Sequence, residues 1–225
     1  MDRSFTYWIH NGYHTIAVLP LVYVLSHDLF LATSLLMKLY SANYWYYYAS
    51  HYDYIKPPYA HLNAFKQFIR FTDTGHLVSL LYCVVDKSWL PIAYNVHGMI
   101  TCGYWFGKLF LDMPDADAIH IEGLDHGITN TMSYMTHIVP YAMIAREVLT
   151  TDCSDAFSTM SLLQTYLWFY TWFVGIYIPW RYYTGDYVYS PFKFGANYWV
   201  TGGFVLGMHV FVGILNESGS LLCNR

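Results

Sequence analysis

Charged residues are scarce in this chain, at 12% of the sequence, whereas soluble domains carry about 25%. The sequence has no run of basic residues, and its net charge is −4 with neutral histidines, which argues against nucleic acid as a partner. It also lacks an internal repeat, a low-complexity tract and a convincing cleavable signal peptide. These absences disfavour both a nucleic-acid-binding protein and an ordinary soluble domain.

The chain is instead rich in apolar and aromatic residues. The chain is 56% hydrophobic and 20% aromatic, with 24 Tyr and 8 Trp. Aromatic side chains of this kind are enriched at membrane interfaces, with the ring inward and the polar group towards water. The composition therefore predicts an all-α, polytopic membrane bundle that forms a single domain over residues 1–225.

Long apolar runs, separated by polar or proline-containing segments, predict six transmembrane helices. Before them, a segment interrupted by Pro20 is expected to be an interfacial or short spanning helix. Lysine and arginine are divided too evenly between the two sides to orient the bundle. We expect a multi-pass protein of an endomembrane such as the endoplasmic reticulum, in preference to the plasma membrane. The spans are predicted at about 29–48, 66–85, 90–111, 128–149, 157–180 and 195–215.

The second predicted span begins with polar side chains, including Arg70, Thr72, Asp73 and His76. A charged group at hydrocarbon depth costs roughly 2.5–3.5 kcal/mol on insertion scales. Such groups persist where they face a bundle interior or a wet cavity and have partners there. This span is therefore a candidate functional site.

The fourth predicted span is its natural partner, because its first half is also polar and contains Asn130 and His137. A threonine hydroxyl is a weak nucleophile that needs an adjacent base, and neutral histidine is the usual base near pH 7. We therefore predict Thr72 as nucleophile and His137 as base. The alternative is that both side chains form hydrogen bonds across helices as packing contacts.

Other polar residues of the spans have supporting roles in this hypothesis. Arg70 would hold a fatty-acid carboxylate or pair with Asp73, and Asp73 or Asp125 would orient the histidine. An amide donor from Asn95 or Asn130 would stabilise the oxyanion. His76 belongs to the same polar cluster.

Three segments resemble the androgen-induced, six-span family of FAHFA hydrolases: FIRFTDTGHLVSLLYCVVD, MTHIVPYAMIARE and PWRYYTGDYVYSPF. The resemblance covers about residues 30–217. It implies a membrane enzyme that cleaves fatty acid esters of hydroxy fatty acids with a Thr nucleophile and a His. The segment Leu124-Asp125-His126-Gly127 is similar to the family's residues before its histidine, which adds His126 to the candidates.

The family's motifs place Arg70 at the position of its threonine and Met135 at the position of its histidine. Thr72 and His137 each lie two residues further along. The partner implied is a membrane lipid or fatty-acyl ester, with no cofactor and no metal site.

Two alternatives use the same polar half-spans. A zinc-dependent, ceramidase-like hydrolase would use Thr72 and His76 as its Ser-x-x-x-His motif, with zinc activating water, although the last span has only His209. A non-enzymatic channel, transporter or membrane assembly subunit would line a path with these groups. The oligomeric state is open, and so is any pairing of Cys153 with Cys223.

Overall fold

All regular structure in the described part of the chain is helical, so the all-α part of the prediction is confirmed there. The computed structural model describes residues 20, 22–24, 28–36, 38, 65, 68–110, 126–153, 155–186, 188 and 198–223. Among the described residues, the α-helices labelled α1 to α6 are Phe71–Leu80, Leu90–Phe110, His126–Thr150, Thr159–Trp172, Ile178–Thr184 and Tyr198–Cys223.

Two π-helical segments extend these helices. Leu81–Val85 continues α1, and Phe173–Tyr177 joins α4 to α5 in one helical run. Between α1 and α2, Asp86 accepts a hydrogen bond from the Ser88 amide and caps a short 3₁₀ turn. Hydrogen bonds from the backbone amide and the side chain of Ser88 hold the pKa of Asp86 below its usual range. A capping box of Ser158 and Ser161 begins α4.

Helix α2 lies at the centre of the fold. Its first eleven residues, 90–100, are all buried, because α1, α3, α4 and α6 pack around it. A helix that is apolar on all sides is either a core helix or a membrane span. The sequence pattern is the same in both cases, and here the neighbouring helices surround it.

The prediction of six transmembrane helices is wrong for the described residues. One helix among them is long and apolar enough to cross a membrane, the 22-residue stretch Gly202–Cys223 of α6. The apolar run Phe71–Val85 is shorter than a span requires. Helices α2 and α3 are long enough, but buried polar residues such as Asn95, His97 and His137 interrupt their apolar character.

The other boundaries agree in part. Helices α2 and α3 lie close to the predicted 90–111 and 128–149, whereas α6 ends eight residues beyond the predicted 215. Of the first predicted span, 29–36 and residue 38 are helical. The rest of that span and most of the predicted N-terminal helix lie outside the described residues.

Two contacts tie the ends of the helices together. Cys153, just after α3, forms a disulfide with Cys223 at the end of α6. The Tyr82 hydroxyl donates to Glu147 at 3.1 Å, which joins the end of the α1 run to the end of α3. The sequence left the cysteine pairing open, and tertiary structure decides it.

We expect Gly219→Ala to lower the free energy of unfolding by about 1–3 kcal/mol, the range typical of overpacking. A Cβ at this position would collide with three atoms of the buried Phe157 ring. Gly103→Ala is the matched control, because a Cβ there meets nothing within 4 Å and alanine favours the helix by about 1 kcal/mol. Denaturant titration followed by circular dichroism measures both variants. Equal stability of the two would contradict the close approach of α6 to Phe157.

Candidate functional site

One face of α1 carries Thr72, His76 and Ser79, spaced four and three residues apart. Side chains at this spacing lie on the same side of a helix. All three are buried, and α1 packs against α2 and α3. Arg70 is the N-cap residue with an extended backbone, so Thr72 falls in the first turn of α1.

The predicted nucleophile and base, Thr72 of α1 and His137 of α3, contact each other. The Thr72 Oγ1 lies 3.4 Å from the His137 Nε2, between residues 65 positions apart in the chain. The side chains are 5% and 7% exposed, so the contact is shielded from solvent. At 3.4 Å the contact is longer than the about 2.7–3.2 Å typical of protein hydrogen bonds.

The His137 ring is held from two sides. Tyr104 of α2 stacks on it, with ring centroids 4.0 Å apart and planes 17° from parallel. The Thr136 Oγ1 lies 3.3 Å from the His137 Nδ1. When Nδ1 carries the proton and donates it to Thr136, Nε2 is left as an acceptor that faces Thr72. This tautomer is the one that general-base chemistry requires.

A proline changes the backbone hydrogen bonding around His137. Pro140 lies inside α3 and has no N–H to donate to the carbonyl of Thr136. The Thr101 hydroxyl of α2 donates to the next carbonyl, that of His137. The histidine is therefore anchored to α2 through both its ring and its backbone.

Sequence reasoning missed a second hydroxyl–histidine pair. The Ser79 Oγ lies 2.5 Å from the His97 Nε2, and both side chains are completely buried. Gly75 allows this approach of α1 to α2, because a Cβ there would touch Ile100 and come within 3.2 Å of the His97 ring. Ser79 lies on the same face of α1 as Thr72 and His76, and this spacing is the sequence signal that could have indicated it. Its full burial indicates a packing contact between helices.

His76 lies between these two pairs. Its ring centroid is 5.8 Å from that of His97, and its electrostatic neighbours are His97, Lys38, His137 and Arg70. Its Nδ1 is buried and has no hydrogen-bond partner among the described residues. Complete burial favours the neutral imidazole, because a charged ring would lose its hydration. The three histidines therefore form one buried cluster, as expected for His76.

Asn95 lies in a different network from the one predicted. Its amide nitrogen donates to the Thr165 hydroxyl and to the Asn216 side-chain oxygen, each at 3.1 Å. The amide has two hydrogens, so both are used and none is left for an oxyanion. The Ser161 hydroxyl also donates to Asn216. These buried groups link α2, α4 and α6.

The remaining predicted residues are placed as follows. Arg70 is partly buried at the start of α1. Asp73 is buried and lines a cavity beside α1. His126 and Asn130 belong to the first turns of α3, and their side chains lie outside the described part of the structure.

The cavity beside Asp73 has a volume of about 640 Å³ and lies between α1, the start of α2 and the α4 run. Thr72 and His137 do not line it. Thr72 lies on the face of α1 that meets His137 of α3, whereas Asp73, Thr74 and Leu77 line the cavity.

Within the part of the chain that the structure describes, fold and site together define a helical protein with one candidate membrane span and a buried threonine–histidine contact. Across the described ranges, no group of three or more His, Cys, Asp and Glu side chains is placed to hold a metal ion. Comparison with models of known protein families, with characterised proteins and with solved structures gives no match. The resemblance to the FAHFA hydrolases therefore stays a prediction from the sequence motifs.

Proposed function

We propose that this protein is a membrane-associated hydrolase that cleaves fatty-acyl esters, with Thr72 as nucleophile and His137 as base. The observation that supports the proposal most is the buried Thr72–His137 contact of 3.4 Å. Helix packing brings a hydroxyl and an imidazole together from distant parts of the chain, and the second ring nitrogen faces Thr136. A nucleophile, a base and a group that orients the base form the pattern typical of covalent catalysis.

The proposed reaction has two steps. The Thr72 oxygen attacks the ester carbonyl while its proton passes to the His137 Nε2, and the alcohol leaves with that proton as the C–O bond breaks. Water then attacks the acyl-threonine and gives its proton to His137, which returns it to the Thr72 oxygen as the fatty acid is released. The low-polarity surroundings strengthen each of these hydrogen bonds relative to water.

We further propose that the substrate is a membrane lipid and that the protein resides in an endomembrane such as the endoplasmic reticulum. The candidate span in α6 is consistent with membrane insertion. The Cys153–Cys223 disulfide is consistent with a compartment that maintains disulfides, such as the lumen of the endoplasmic reticulum. In this arrangement the C-terminal end of α6 faces the lumen.

Labelling of the purified protein with a fluorophosphonate probe tests the site. We expect covalent labelling of the wild type at Thr72 and its loss in Thr72→Ala and in His137→Ala. Thr74→Ala is the matched control, because this threonine contacts the Phe71 carbonyl and Trp168 instead of a histidine. Label that is found by mass spectrometry at another residue, or that persists in both site variants, would remove Thr72 and His137 from the mechanism.

A further inference from the structure

The cavity between α1 and α4 is separate from the Thr72–His137 contact, and its size and wall residues are those of a ligand-binding pocket. Its volume of about 640 Å³ falls within the roughly 300–1,000 Å³ typical of ligand pockets. Trp168 and Trp172 form part of its wall. Their indole N–H groups are already used, by the Thr74 hydroxyl and the Ile69 carbonyl. Their ring surfaces are therefore the part available to an apolar ligand.

The rim of the cavity is apolar and exposed. Phe68, Leu77 and Leu167 line it and are 51%, 45% and 68% exposed. Leu167 also belongs to a row of exposed apolar residues along the α4 run, which includes Leu163 and Val174. Such a surface is unfavourable in water and favourable against hydrocarbon. A ligand that enters over this rim arrives most readily from lipid.

The wall of the cavity contains one basic and one acidic side chain. Lys38 and Asp73 both line it, and the charge of Asp73 acts on Lys38. The Lys38 Nζ lies 4.9 Å from the centre of the Phe68 ring, which places the ammonium near the rim. Lys38 and Asp73 carry opposite charges, so a ligand with a net charge would meet one like charge as well as one opposite charge beside a mostly apolar wall. That arrangement is costly, whereas a neutral group that donates and accepts hydrogen bonds fits both partners.

We propose that this cavity binds a neutral single-chain lipid. The acyl chain lies against Trp168 and Trp172, and a hydroxyl or ester head lies beside Lys38 and Asp73. The two opposite charges disfavour a free fatty acid or an alkylamine relative to a neutral lipid. The site does not depend on the proposed hydrolysis, because Thr72 and His137 do not line it.

Binding of tritiated monooleoylglycerol to the full chain in detergent tests the proposal by a scintillation proximity assay. We expect saturable binding at one site, with oleate and oleylamine competing at least tenfold more weakly than unlabelled monooleoylglycerol. Thr72→Ala, which cannot hydrolyse this ester under the proposed function, should show the same saturable binding, so that failure of the hydrolase proposal is distinguished from failure of this one. Tighter competition by oleate or oleylamine than by monooleoylglycerol, or binding that does not saturate, would overturn the site.

Two pairs of variants sharpen the test. Thr171→Trp fills the cavity from an exposed wall position and should weaken binding at least tenfold. Thr159→Trp, exposed on α4 outside the lining, should not change it. Lys38→Met should shift the preference to oleylamine, and Asp73→Asn should shift it to oleate. Unchanged binding in Thr171→Trp refutes the location, and unchanged head-group preference in both charge variants refutes the role of the pair.

Discussion

Thr72→Ala is expected to lower kcat/KM for release of fatty acid from an acyl ester at least about 1,000-fold, which is the scale of loss when a nucleophile is removed. This corresponds to about 4 kcal/mol of transition-state stabilisation. His137→Ala should cause a loss of similar size, and the double variant should lose little more, because the two groups act as a unit. Thr72→Ser keeps the hydroxyl and should retain most of the activity. A released-acid assay against a panel of lipid esters measures these rates.

Ser79→Ala is the matched control for that experiment. It removes the hydroxyl of the other buried hydroxyl–histidine pair and leaves the His97 Nε2 without Ser79. An unsatisfied buried polar group costs about 1–3 kcal/mol, so this variant should be less stable while its activity stays within a few-fold of wild type. A thousandfold loss in Ser79→Ala with full activity in Thr72→Ala would transfer the nucleophile to Ser79.

Loss of the Cys153–Cys223 disulfide is expected to have the largest effect on stability. The bond closes a sequence separation of 70 residues, for which the chain-entropy relation gives about 4 kcal/mol. For a chain of this size, Cys153→Ser or Cys223→Ser should lower the Tm by roughly 10 °C. Thermal unfolding in detergent under non-reducing conditions measures this change.

Cys102→Ser is the control for the cysteine substitutions, because Cys102 is a free and exposed thiol. Its Tm should equal that of the wild type. The Cys153→Ser and Cys223→Ser double variant should be no less stable than either single variant, since one bond is lost in each case. Wild-type protein that reacts with maleimide at Cys153 or Cys223 without prior reduction would contradict the pairing.

The sequence predicted the helices well where their ends carry local signals. Helix α2 begins after the turn capped by Asp86. The polar residues in the first half of α3 indicated that this helix packs against other polar groups. Among the described residues the predicted number of membrane spans was wrong; residues 90–100, for example, are buried against other helices. An apolar run has the same composition whether lipid or protein surrounds it.

Residue chemistry and the motifs of the FAHFA hydrolase family point to different positions for the candidate site. The family alignment would use Arg70 and Met135, but Met135 is exposed and Arg70 precedes the helix. Thr72 and His137 lie two residues further, a rotation of about 200° on a helix, and face the interior. Their meeting depends on how α1 and α3 pack, which no local pattern specifies.

The sequence did not predict the Ser79–His97 pair, the Asn95–Asn216 network or the position of the cavity beside Asp73, for a related reason. Each joins groups from two or more helices. A polar residue on a helix shows that a partner is needed, because burial without one is costly. It does not show which helix supplies that partner.

By itself, the amino-acid sequence determined that the chain is helical, that it is rich in apolar surface, and that α1 and α3 carry polar groups needing buried partners. Helical periodicity and composition are local properties, so they are readable in one dimension. Only the tertiary structure decided that α2 is a core helix, that Cys153 meets Cys223, and that Thr72 faces His137 while Asp73 faces a cavity. Those outcomes depend on the rotation and packing of whole helices against one another, which are set by the sum of many contacts.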